Sequence, residues 1–254
     1  MRHNMKDETR MTCDGRIAIV TGSAGSGMGR SIALTLAREK AKVVVNFRTS
    51  QESAAAIVDQ IESRGGSAVA VQADVFEAGG CKNLVQATLE QFGRVDICVV
   101  GPGAGWHPEP PDRLDATAAL DDLHREMAPL FHLMPLVLPG MYERRWGRLI
   151  GIALHPTRIP PAYAYNVGKA ARAQALLLAQ DEAWRHDVTV NVVAPGPVPA
   201  IESLQEAVEQ CDHGPAWQKR TNVSPQDIAE GVAFLCSEVG RFISGCVLPY
   251  LFYE

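Results

Sequence analysis

The sequence predicts an α/β fold: a single doubly wound parallel β-sheet flanked by helices. Short β-branched runs recur along the chain without polar alternation, the pattern of strands buried on both faces. Helical stretches separate these runs, and parallel strands need crossovers of that kind. No repeat, low-complexity tract or linker divides the chain, so residues 14–254 are read as one domain behind a disordered tail over 1–13. A chain of 254 residues, 46% hydrophobic and 21% charged, is long enough to bury a large core.

The first strand is expected over 16–21 (RIAIVT). It stops at Gly22, Ser23, Ala24, Gly25, Ser26, Gly27, Met28 and Gly29, and an Ala/Leu-rich helix follows over 30–40. The second strand, 42–47 (KVVVNF), ends at Arg48. A helix over 51–63 is stopped by Gly65 and Gly66, and a third strand over 67–73 leads to Asp74 and Val75. A helix over 81–92 precedes the fourth strand, 95–100 (VDICVV), which enters Gly101, Pro102 and Gly103. The helix over 116–142 carries Pro129, Pro135 and Pro139, which must bend or divide it. The fifth strand, 148–153 (RLIGIA), is followed by a helix that holds Tyr165 and Lys169 and runs to Trp184. A sixth strand over 188–193 closes at Ala194, Pro195 and Gly196. The polar, amphipathic segment 201–218, a helix over 225–236 and a last strand over 246–251 complete the chain.

The totals exclude several function classes. Net charge is −5, and no basic run exists to track a phosphate backbone, so no nucleic acid is expected. Six scattered cysteines include no Cys-x-x-Cys pair, so neither zinc nor a disulfide framework is expected. No apolar run reaches the ~18 residues that span a bilayer, and the polar start lacks a signal peptide's apolar core. The expectation is a cytoplasmic protein with no membrane, no metal and a small-molecule substrate.

Two stretches carry chemistry. A glycine-rich turn between the first strand and first helix lets backbone N–H groups approach a pyrophosphate. Where an acidic residue would hold an adenosine ribose, this chain has Asn46, Phe47 and Arg48; Arg48 suits a 2′-phosphate, which favours NADP over NAD. On the other stretch, Tyr165 and Lys169 lie one helical turn apart. An ammonium there would lower a phenol's pKa from about 10 and make Tyr165 a general acid/base.

With these pieces in order, the chain resembles the short-chain dehydrogenase/reductase family over about 16–248. The matching residues are Thr21-Gly22 with Gly27-Met28-Gly29, Ala73-Asp74-Val75, Tyr165-x-x-x-Lys169, Asn191-x-x-Ala194-Pro195-Gly196, and Ser244-Gly245-x-Val247-Leu248. The resemblance implies a single Rossmann domain, assembled as a homodimer or homotetramer. It implies an oxidoreductase that uses NADP(H) on a carbonyl or hydroxyl of a small hydrophobic substrate. Tyr165 would protonate the carbonyl, and Lys169 would hold the nicotinamide ribose. The cofactor would lie against Gly22, Ser23, Ser26, Gly27, Met28, Gly29, Arg48, Asp74, Val75, Gly101, Gly103, Pro195, Gly196 and Val198.

The sequence also departs from the family. Four residues separate Gly22 from Gly27 where the family has three, and of its Asn-Asn-Ala-Gly segment only Gly103 is kept. The relay asparagine aligns with Glu126. The catalytic serine aligns with Ala153 or Leu154, and no serine occurs over 151–165. His155, beside that position, and Glu126 are therefore further catalytic candidates, with Glu126 also able to salt-bridge Lys169. Trp106, His107, Leu154 and Trp217 are expected around the substrate, with 197–223 as a lid. Two alternatives stand beside the redox reading: a non-redox enzyme that uses Tyr165 for proton transfer, and a catalytically silent partner subunit.

Overall fold

The computed structural model describes residues 12–154 and 162–250. Seven strands form one sheet: β1 (Ile17–Val20), β2 (Lys42–Phe47), β3 (Ser67–Gln72), β4 (Ile97–Val100), β5 (Gly147–Ile152), β6 (Val188–Ala194) and β7 (Val247–Pro249). All pairings are parallel, in the order β3-β2-β1-β4-β5-β6-β7. The helices between them are α1 (Met28–Arg38), α2 (Gln51–Ser63), α3 (Ala78–Phe92), α4 (Ala116–Arg144), α5 (Tyr163–Trp184), α6 (Leu204–Cys211), α7 (Pro215–Gln218) and α8 (Pro225–Cys236).

The strands sort their residues by the two-residue period of extended chain. Ala18, Val20, Val43, Val45, Ile97 and Val99 join one apolar cluster with residues of α1, α2 and α8. Ile19, Val44, Cys98, Val100 and Leu149 join a second cluster with residues of α3, α4 and α5. Both faces are covered, which is why the strands read as unbroken apolar runs. The expected doubly wound sheet is what forms.

The order of winding decides where a ligand can sit. From β1 the chain moves outward to β2 and β3, then returns to β4 on the other side of β1. The connections leaving β1 and β4 therefore diverge, and a crevice opens at their carboxyl ends.

Several boundaries differ from expectation, each for a tertiary reason. Cys13, placed in the tail, is 2% exposed and its N–H donates to Glu39 O at 2.7 Å, so packing begins before Asp14. Residues 1–11 lie outside the described residues. The three prolines do not divide α4, which runs unbroken for 29 residues. Leu130, Leu133, Val137 and Met141 on that helix are fully buried or nearly so, and their packing offsets the proline cost of roughly 3 kcal/mol each. α3 starts three residues early, at Ala78, and takes in Gly80, where a Cβ would stand 2.0 Å from Asp74 O. The segment 201–218 splits into α6 and α7, with Pro215 starting the second.

Candidate active site

The turn after β1 is shaped by neutral hydrogen bonds. Gly22 has φ +61°, and its N–H donates to Asn46 Oδ1 at 3.0 Å. A Cβ on Gly22 would meet Pro102 Cγ at 2.7 Å, and one on Gly29 would meet Gly22 O at 2.6 Å. Glycine is required at both. Thr21 Oγ1 donates to Val99 O and accepts the Gly101 N–H, tying the exits of β1 and β4 together. Asn46 Nδ2 donates to Ala73 O at 3.0 Å, so one amide fixes both the turn and the exit of β3. A cavity of about 190 Å³ opens here, lined by Gly22, Gly27, Met28, Gly29, Gly101 and Pro102 among others.

These residues fit a dinucleotide. Gly27 caps α1 with no side-chain hydrogen bond among the described residues, so the helix's first N–H groups stay open to an anion. Arg48 Nη1 stands 3.8 Å from Asp74 Oδ2, and both side chains are exposed. Val75 is buried. Pro195 and Gly196 are buried at the exit of β6, and Val198 packs against the first core cluster. Ser26 contributes its carbonyl to Ile201 N–H at 2.9 Å. Ser23 is fully buried, with its N–H given to Asn46 O and its hydroxyl to Val20 O.

Tyr165 and Lys169 lie on α5. Lys169 Nζ lies 5.3 Å from the Tyr165 ring centroid, as the one-turn spacing requires. The expected electrostatics are reversed. Lys169 Nζ is 3.0 Å from Glu126 Oε1, and Arg172 Nε is 2.8 Å from the same oxygen. All three are buried: Glu126 is 1% exposed, Lys169 6% and Arg172 0%. Burial, then the Glu126 charge, raises the Tyr165 phenol above its ordinary value despite the opposing pull of Arg172. Burial, then Arg172, lowers Lys169 to about 8 against the pull of Glu126. Lys169 is held by a carboxylate, so the phenol is not lowered as the spacing suggested.

Two glycines make room for that carboxylate. A Cβ on Gly103 would stand 2.0 Å from Glu126 Oε2, and one on Gly168 would stand 3.1 Å from Glu126 Cβ. Glu126 Oε2 also accepts the Ala104 N–H at 3.0 Å. Arg172 donates to Gly101 O and Ile152 O at 3.2 Å each, and to Pro102 O, so it grips the exits of β4 and β5.

Near the mouth, Trp106 meets Tyr165 edge to face with centroids 5.4 Å apart. His107 Nδ1 lies 3.0 Å from the largely buried Asp122 carboxylate. Ala153 follows β5 directly and is buried, and Leu154 after it is half-buried. His155 lies outside the described residues. Trp217 stacks on His213 at 4.3 Å, and His213 Nε2 lies 2.6 Å from Glu230 and 3.3 Å from Arg38. Arg38 ends α1, so Trp217 belongs beside that helix's far end. Cys211 of α6 likewise packs on Thr35 of α1, so this part of 197–223 covers α1.

Sequence reasoning missed Arg172, Asp122 and the bonds that Asn46 makes to Gly22 and Ala73. Arg172 had a signal: Tyr165, Lys169 and Arg172 at i, i+4 and i+7 share one helix face. Asn46 and Asp122 had none, because their partners lie elsewhere in the chain. Among the described residues no group of three His, Cys, Asp or Glu stands where it could hold a metal, and no helix is long and apolar enough to cross a membrane.

The chain matches the family model described as short chain dehydrogenase over residues 16–211. An uncharacterized oxidoreductase of Methylorubrum extorquens is 33% identical over 249 residues, covering 92% of this chain and 96% of that protein. A versicolorin reductase of Emericella nidulans is 30% identical over 264 residues, covering 96% and 97%. Among solved structures, a 7 alpha-hydroxysteroid dehydrogenase in complex with NADH and 7-oxo glycochenodeoxycholic acid superposes with a TM-score of 0.80. It shares 26% identity, with 94% of each chain covered.

Proposed function

This chain belongs to the short chain dehydrogenase family, and from that premise we propose that it is an NADP(H)-dependent oxidoreductase acting on a carbonyl or hydroxyl of a small hydrophobic molecule. The observation that carries the reading is the Tyr165–Lys169 pair on α5, whose helix is tied by Arg172 to Gly101 O and Pro102 O, two residues that line the cavity at the glycine turn. A bound nicotinamide supplies the hydride. Gly22, Gly27 and Gly29 hold the pyrophosphate, and Arg48 takes the 2′-phosphate. Tyr165 protonates the substrate oxygen. Trp106 gives the pocket an apolar wall beside that phenol. The named relatives are reductases and dehydrogenases, which supports the reaction class.

The site is an atypical one, with alanine at the exit of β5 and Glu126 in the relay position. One missing oxyanion donor costs about 10²–10³ in rate, so turnover is expected to be slow. Assembly as a homodimer or homotetramer and a cytoplasmic location are part of the same reading. Exposed Phe131 on α4 and Leu178 on α5 supply apolar surface for assembly.

A specific observation favours a second reading. Lys169 is neutralised in part by Glu126 and the Tyr165 phenol is raised, an arrangement suited to proton transfer without hydride chemistry. Titrating the protein with NADPH and NADH by fluorescence separates the two. NADPH should bind more tightly than NADH and be consumed with a hydrophobic ketone. Binding without consumption moves the chain to the non-redox reading, and no binding at millimolar concentration sinks the redox one.

A further inference from the structure

Granting that Tyr165 and Lys169 are the acting pair, we propose that Arg172 is a positioning residue of this site: it competes with Lys169 for the Glu126 carboxylate and so leaves Lys169 with an easily removed proton beside Tyr165. The argument is one of charge and reach. A single carboxylate meets two cations within 3.0 Å, in a cluster where each residue is at most 6% exposed. The cluster therefore holds a surplus positive charge with almost no water to solvate it. A guanidinium does not give up its proton in proteins, whereas a buried lysine does so readily. Of the two cations, Lys169 is the one that can give up its proton to relieve the surplus.

Arg172 cannot swing aside to relieve it. Its Nε donates to Glu126 O at 3.0 Å, and its Nη1 to Gly101 O and Ile152 O at 3.2 Å each. Among the described residues no further charge offsets the excess. α4 offers Lys169 only Glu126, α5 offers Tyr165 and Arg172, and the exits of β4 and β5 offer carbonyl oxygens. Asp122, one turn before Glu126, is engaged by His107. The lowering of Lys169 to about 8, with Arg172 the leading cause after burial, agrees with this account. A Lys169–Glu126 pair without Arg172 would be neutral and would hold the ammonium firmly.

The test follows the Lys169 proton itself, by NMR of protein carrying 13C-labelled lysine, with the Lys169 signal identified by its loss in Lys169→Arg. In the wild-type protein the midpoint should fall near pH 8; a midpoint at or above the ordinary 10.5 overturns the proposal. In Arg172→Gln the midpoint should rise by about one unit or more. An unchanged or lower midpoint in that folded variant overturns the proposal equally. Should Arg172→Gln not fold, the wild-type midpoint decides alone. Neither readout needs turnover: both midpoints as expected in a protein that reduces no carbonyl would sink the function reading and leave the role of Arg172 standing.

Discussion

The two walls of the crevice are held in opposite ways. At the exit of β1 every bond that shapes the turn is neutral: the Asn46 amide, the Thr21 hydroxyl and backbone groups. At the α4–α5 contact one carboxylate meets two cations, and all three are buried. A neutral turn leaves its own helix N-terminus open and adds no competing charge, which suits an anionic ligand. A charged cluster fixes proton affinities, which suits acid/base work. Neutral bonds set shape here, and buried charges set protonation.

The largest expected effect tests what the charged wall is for. Tyr165→Phe should lower carbonyl turnover by about 10²–10⁴-fold while leaving NADPH affinity nearly unchanged. Activity that survives would shift attention to Glu126 or His155.

Glu126→Ala should come next. It leaves Lys169 and Arg172 as buried like charges, and urea denaturation at pH 7 should show a loss of about 3–5 kcal/mol. The pH dependence has a definite sign. Folded Lys169 titrates near 8 and unfolded lysine near 10.5, so between those values the unfolded chain holds more protons. Stability from this group therefore rises with pH across that window. Without Glu126 the folded value drops further, so relief should begin below pH 8.

Asn46→Ala should cost less, about 1–3 kcal/mol, by leaving the Gly22 N–H and Ala73 O without their partner. Its penalty should be flat from pH 7 to 10, because nothing it touches titrates there. A penalty that tracks pH would break the contrast between the walls. Arg48→Asp is the mildest: stability should stay within about 0.5 kcal/mol, since the Arg48–Asp74 pair is exposed. The readout is cofactor choice, which should turn from NADPH to NADH. An unchanged preference would remove Arg48 from the site.

Much of the scaffold was legible because it is written in local chemistry. The β-branched runs fix strands, Gly22 and Gly29 sit where backbone approaches backbone, and Tyr165 and Lys169 fall together by helical period alone. Other features were hidden. The continuity of α4 through three prolines depends on packing against the second core cluster, which no window of that segment contains. The stack of Trp217 on His213 beside the far end of α1 is made only in the fold.

The sequence by itself determined the doubly wound sheet, the glycine turn and the placing of Tyr165 over Lys169, since each follows from periodicity or a backbone requirement within a few residues. Only the tertiary structure decided what Lys169 does with its charge. Glu126 arrives from α4, 43 positions earlier in the chain, and Arg172 is pinned by carbonyls of β4 and β5. An electrostatic environment is a sum over neighbours in space, and most of these neighbours are distant in sequence.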